Sequence, residues 1–331
     1  MKVFRKAKTV RVAPIIAGAF AFVLLLPAVA QDYFPSDAIL AVTASEDGKW
    51  VASAQGDGSL YLWDTQLGTG TQLACLPAAG ALAFDPGDAL LGVAIGPQLQ
   101  VWDVGSRRRV LELRGEDGDI LLIDWVGGGT QILTSGEEGT SIWDAATGRQ
   151  LVHVRGYSSG PARVSPDGQV LATADESGAI SLWNVATGKK IRTFRPHNTY
   201  ITDLAFDPSG VLLASSGGDN SVAITDVATG RQRVALRGHT DEVLPIAFLS
   251  GDRLLSVGAD KQVRVWDVPN GKAVSKWATP DFLGLSLTRN GQWLALRFMN
   301  GKLGLWRAAD GHLQKVFTYR SQQPCASRER R

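Results

Sequence analysis

The chain has 331 residues, 44% of them hydrophobic and 20% charged, an ordinary globular composition with enough length for one large core or two domains. Its four histidines, His153, His197, His239 and His312, lie far apart, and its two cysteines form no Cys-x-x-Cys-His. The common zinc and covalent-haem motifs are therefore excluded, and no cofactor or metal is expected.

The chain opens on Lys2, Arg5, Lys6, Lys8 and Arg11 with no acid, followed by an apolar run over 12–30 that ends Ala-Val-Ala. This pattern predicts a secretory signal over 1–30, cleaved between Ala30 and Gln31, and hence an exported protein, periplasmic or secreted in a bacterium. The alternative is an uncleaved anchor over 12–30, which would be the chain's one membrane contact. Without the signal, 29 basic residues face 32 acidic ones, a net −3. That balance gives no electrostatic case for nucleic acid. Arg107-Arg108-Arg109 reads as a solvated face.

After a short segment at 31–35, one pattern repeats seven times. SLYLWD, QLQVWD, GTSIWD, AISLWN, SVAITD, VRVWD and KLGLWR place Trp63, Trp102, Trp143, Trp183, Thr225, Trp266 and Trp306 at steps of 39 to 42 residues. Each ends a strand-like alternation and runs into a Gly-containing turn such as Ala228-Thr229-Gly230-Arg231. A second turn, such as Ser165-Pro166-Asp167-Gly168, precedes each. Each period thus holds four short strands and no helix. One such sheet cannot bury both faces, whereas seven around an axis can.

These repeats resemble the WD40 family, and the resemblance implies an all-β, seven-bladed WD40-like β-propeller with four antiparallel strands per blade. It covers 36–319, with blades at about 36–76, 77–114, 115–155, 156–196, 197–237, 238–277 and 278–319, and a tail at 320–331. The best copy is the sixth. Its His239, Ser256, Asp260 and Trp266 match the family's buried tetrad, a hydrogen-bonded chain from Trp to Ser to His to Asp. The first copy keeps Ser53, Asp57 and Trp63 without a His. The fifth keeps His197, Ser215 and Asp219 with Thr225 in place of Trp. Blades 2, 4 and 7 are expected to open more easily than blade 6. Family rings often close by strand exchange, but both end repeats read as complete, so none is expected. A disulfide between Cys75, at the end of the outer strand of blade 1, and Cys325, just beyond the outer strand of blade 7, is expected to staple the ring instead.

The glycine run Gly127-Gly128-Gly129 reads as a hairpin turn and not a phosphate cradle, and the many Asp residues read as turn formers that accept backbone N–H groups. Trp-Asp-Ala-Ala-Thr-Gly-Arg superficially resembles the docking motif of quinoprotein propellers but lacks the Trp that follows Thr-Gly there. The resemblance implies a non-catalytic, monomeric interaction scaffold that binds a protein or peptide on its top-face loops, those leading into each inner strand. There Asp119, Leu121, Tyr200, Thr202, Glu242, Leu244, Asp281 and Leu283 form an acidic and apolar arc suited to basic partners. The alternative is a periplasmic propeller enzyme or small-ligand receptor that uses the central channel.

Overall fold

Strands pair only with their neighbours in sequence, giving seven four-stranded antiparallel sheets over residues 39–75, 81–114, 120–155, 162–194, 201–237, 243–278 and 284–318. This computed structural model describes residues 38–76, 79–114, 118–136, 138–155, 160–298, 301–319 and Cys325. The expected signal over 1–30, its Ala30–Gln31 junction, the 31–35 segment and the rest of the tail lie outside the described residues.

Burial falls from the axis outward. The second strand of blade 6, Arg253–Gly258, is buried from Leu254 onward, whereas its outer strand, Lys272–Ala278, is almost wholly exposed. Inner strands therefore read as continuous apolar runs, because a neighbouring blade covers each of their faces. Seven apolar clusters fill the seven blade–blade interfaces, one each. At about 25 cal/mol per Å² of apolar surface buried, these interfaces are the main favourable term holding the ring.

The repeated tryptophan marks a register break. In six blades the pairing of the third and fourth strands shifts at the Trp position, Thr225 included. In blade 1 the shift comes two residues earlier, between Leu60 and Tyr61. A bulge there adds twist and re-aims the indole into the blade.

Among the described residues the ring closes without strand exchange. Blade 1 begins with its own inner strand, Ile39–Ala44, and blade 7 ends with its own outer strand, His312–Thr318. Side chains hold the seam. Ile39, Val42, Tyr61 and Trp63 of blade 1 pack on Leu303, Leu305, Phe317 and Tyr319. The Glu46 carboxylate accepts the N–H groups of Arg289 (3.0 Å) and Asn290 (3.1 Å), and Arg297 donates to the Ile39 carbonyl. Cys75 and Cys325 form a disulfide with a Cα–Cα distance of 5.5 Å.

Candidate functional site

Blade 6 assembles all four tetrad side chains. Trp266 Nε1–H donates to Ser256 Oγ at 2.8 Å, Ser256 Oγ lies 2.8 Å from His239 Nε2, and His239 Nδ1 lies 2.9 Å from Asp260 Oδ1. One tautomer satisfies every link: Nδ1–H donates to Asp260, and Nε2 accepts the serine proton. Arg264, absent from the sequence expectation, donates to Asp260 Oδ2 at 2.9 Å. Burial lowers the His239 pKa below the usual imidazole value, and the Arg264 charge adds to this against the pull of Asp260. Burial works against the Asp260 carboxylate, but hydrogen bonds from His239 and the Thr240 N–H, with the Arg264 charge, hold it below the usual range. Gly258 leaves room for this chain, since a Cβ there would lie 2.3 Å from His239 Nδ1 and from Asp260 Oδ1.

Blade 5 keeps three members. His197 bridges Ser215 Oγ (2.9 Å) and Asp219 Oδ1 (3.0 Å), with Gly217 again making room. Thr225 fills the Trp position, and its buried hydroxyl has no hydrogen-bond partner among the described residues.

Blade 1 is rewired. Trp63 still donates to Ser53 Oγ at 2.7 Å, but Gln55 stands where blades 5 and 6 have glycine. Its amide lies 2.7 Å from Ser53 Oγ. Turned with its oxygen on that hydroxyl, it accepts the Ser53 proton as His239 accepts that of Ser256 in blade 6, and its nitrogen faces the Ser53 and Ser59 carbonyls. Asp57 accepts instead from the hydroxyl of Tyr319, the residue after the last strand of blade 7. The Gln at the glycine position was a readable signal for the first change. Nothing local marks the second.

Elsewhere Trp143 donates to Thr134 (2.7 Å) and Trp183 to Thr173 (2.9 Å), so blade 4 keeps its indole anchor. Blades 2 and 7 place Val93 and Leu296 at the hydroxyl position. The Trp102 N–H has no partner among the described residues, while Phe298 packs edge-on against Trp306 with centroids 5.9 Å apart.

On the top face the structure brings together only part of the expected arc. Tyr200 Oη donates to Glu242 Oε2 at 2.6 Å, linking the loops of blades 5 and 6. Burial, then the bond to Glu242 and its charge, push the Tyr200 phenol up to about 12. Asp281 is exposed and pairs with Lys261, and Asp119, Leu121 and Leu283 are half-buried. Two expectations are corrected. Leu244 is fully buried in the interface of blades 6 and 7, and Thr202 is 1% exposed, donating to the Val243 carbonyl and to Ser216 Oγ (2.9 Å). Register shifts at Ile201/Asp203 and Val243/Ile246 break the in–out alternation on which their exposure was read.

The opposite mouth of the ring holds a cavity of about 550 Å³ that the sequence reading did not anticipate. All seven blades contribute through the ends of their inner strands and the turns that follow: Glu46, Pro86, Val126, Pro166, Pro208, Leu249 and Arg289. Such a wall exists only on the ring axis. Behind it four charges alternate across the channel. Asp203 Oδ1 accepts from Arg163 Nη2 at 2.9 Å, Arg163 Nε lies 3.7 Å from Asp124 Oδ2, and Asp124 Oδ1 lies 3.4 Å from Arg289 Nη1. Arg289 comes from blade 7 and donates to the Trp125 carbonyl of blade 3, so its side chain spans the channel.

These features define the chain as a seven-bladed β-propeller with tetrad-type blades. It carries WD40 repeats: residues 32–64, 149–184, 188–226 and 230–267 match the family described as WD domain, G-beta repeat. Similar proteins include THO complex subunit 6 of Arabidopsis thaliana, 26% identical over 52% of this chain and 53% of that one. The small ribosomal subunit protein RACK1 is 31% identical in Schizosaccharomyces pombe, over 44% of this chain and 38% of that one. In Caenorhabditis elegans RACK1 is 36% identical over 23% of each chain. The chain thus spans about half the length, or less, of these relatives, all of them eukaryotic.

Proposed function

We propose that this protein is an exported, non-catalytic interaction scaffold that presents its top-face loops to a protein or peptide partner. The observation that carries the reading is how its polar groups are used. The histidines and carboxylates of blades 5 and 6 are spent on each other, and the top-face loops are tied blade to blade through Tyr200–Glu242 and Lys261–Asp281. Preorganised loops lose little entropy on binding, which suits a platform. The names of similar proteins support it: a THO complex subunit and a ribosomal subunit protein are parts of assemblies. The Cys75–Cys325 bond supports export, since such bonds persist in oxidising compartments. The surface that remains is Tyr200, Glu242 and Asp281 with half-buried Leu121 and Leu283 beside them, and it suits a partner with basic groups.

Crosslinking in the native compartment followed by partner recovery tests the reading. Tyr200→Ala with Asp281→Ala should reduce recovery at least about tenfold, the loss of one interface anchor. Recovery unchanged in the double variant, with the ring still folded, would remove the top face from the proposal.

A further inference from the structure

We propose that the cavity at the turn-side mouth is a binding site for a carboxylate carried on an apolar body. This site is separate from the top-face surface and does not depend on the scaffold reading. Its volume of about 550 Å³ falls in the range of roughly 300–1,000 Å³ common to small-ligand sites. Its wall is mixed polar and apolar, with Pro86, Pro166, Pro208, Phe206, Phe248 and Leu249 from four different blades supplying the apolar part. Three of these are prolines in turns that need no backbone N–H there, so the collar is stiff.

The polar groups on the wall differ in what they leave free. Glu46 has both carboxylate oxygens engaged by the N–H groups of Arg289 and Asn290, with its backbone carbonyl accepting from Asn290 Nδ2 at 3.0 Å. Its charge is committed to the seam. Arg289 uses only Nη1, on the Trp125 carbonyl and beside Asp124, and its side chain is 43% exposed. Its Nε–H and Nη2–H have no partner among the described residues. That edge of the guanidinium is the fork that binds a carboxylate through two parallel hydrogen bonds. Asp124 does not compete for it, because it approaches Nη1 and shares Arg163 on its other side. A ligand carboxylate on the free edge would place its apolar body against the proline and phenylalanine collar.

Two sources offer this chemistry, a free small carboxylic acid and the C-terminus of a peptide ending in an apolar residue. The test uses 3-phenylpropionate, its primary amide and 3-phenylpropylamine. A tetrapeptide ending in phenylalanine, with a free or an amidated C-terminus, is titrated in parallel. Binding is followed by calorimetry and ligand-observed NMR on the intact protein. The expected result is that each carboxylate binds at least about tenfold more tightly than its amide, the worth of a charge-assisted bidentate contact. Arg289→Gln should erase that difference and Arg289→Lys should retain only part of it. Pro208→Trp, at an exposed position on the cavity rim, should abolish binding while leaving the thermal transition in place. Tighter binding by the peptide than by 3-phenylpropionate assigns the source to a chain terminus, and the reverse to a small acid. Equal affinity for acid and amide, preference for the amine, or no saturable binding up to about 10 mM of any probe overturns the proposal. So does a carboxylate preference that survives Arg289→Gln.

Discussion

Blade 6 and the seam between blades 7 and 1 answer one question in two ways: how a four-stranded sheet is held when its outer strand is open to water. Blade 6 holds itself from within, through Trp266, Ser256, His239, Asp260 and Arg264. At the seam the corresponding parts face outward. Asp57 has left its own blade's chain to accept from Tyr319, Glu46 clamps the blade 7 turn, and a disulfide joins the outer edge to the tail. Gln55 closes the gap left behind. The same residue positions therefore serve rigidity within a blade where neighbours are continuous in sequence, and closure between blades where the chain has two free ends.

The largest expected effect bears on the seam. Cys75→Ser, which opens a loop of 250 residues, should cost on the order of 2–5 kcal/mol. Reductant should lower the melting temperature of the unaltered protein and leave that of the variant where it is. Two thiols that alkylate without reductant would show that side chains alone close the ring.

Next comes blade 6. His239→Ala and Asp260→Ala should each cost about 1–3 kcal/mol in denaturant melts, the cost of leaving a buried partner unsatisfied. Losses near zero would mean that apolar packing carries blade 6 as it does blade 7.

Acidity should then separate the two regions. Because burial lowers the folded-state pKa of His239, the unfolded chain binds a proton that the folded chain does not as pH falls below about 6.5. Blade 6 therefore loses stability with acidification, and Asp260, held low, adds its loss only below the ordinary carboxylate value. Glu46 at the seam behaves oppositely. Burial raises its pKa, so across the window between the raised and the ordinary value the folded state takes up the proton first, and acidification favours it. Hydrogen exchange at pH 7 and pH 5 should show blade 6 amides losing protection before those of the seam. The reverse order would break the contrast.

The smallest effect is in blade 5. Thr225→Val removes a buried hydroxyl with no partner among the described residues while keeping the side-chain shape, so stability should hold or rise by up to about 1 kcal/mol. A clear loss would show that the hydroxyl is in use.

Much of the ring was legible in the sequence. The Trp period set the blades, and the spacing of His, Ser and Asp picked out blades 5 and 6, because both signals lie within one repeat. Asp57–Tyr319 was not legible, since its partners are 262 residues apart and meet only on closure. Thr202 and Leu244 were read as surface from strand alternation, which a local register shift undoes; no Gly or Pro marks the shift at Ile201/Asp203, whereas Pro245 lies inside the one at Val243/Ile246. The cavity was hidden for a third reason. Its wall takes a strand end or turn from every blade, although the recurring Asp85-Pro86, Ser165-Pro166 and Asp207-Pro208 pairs were its visible trace.

The Cys75–Cys325 bond also fixes how the molecule would carry tension. A pull between Ala38 and Cys325 runs through residues 38–75 and then crosses the sulfur bridge, so blade 1 alone lies on the load path. Blades 2 to 7 sit inside a covalent loop that force on the ends cannot lengthen. Stretched by its ends, the oxidised protein would pay out one blade's worth of chain and stop, whereas the reduced protein could unravel all seven.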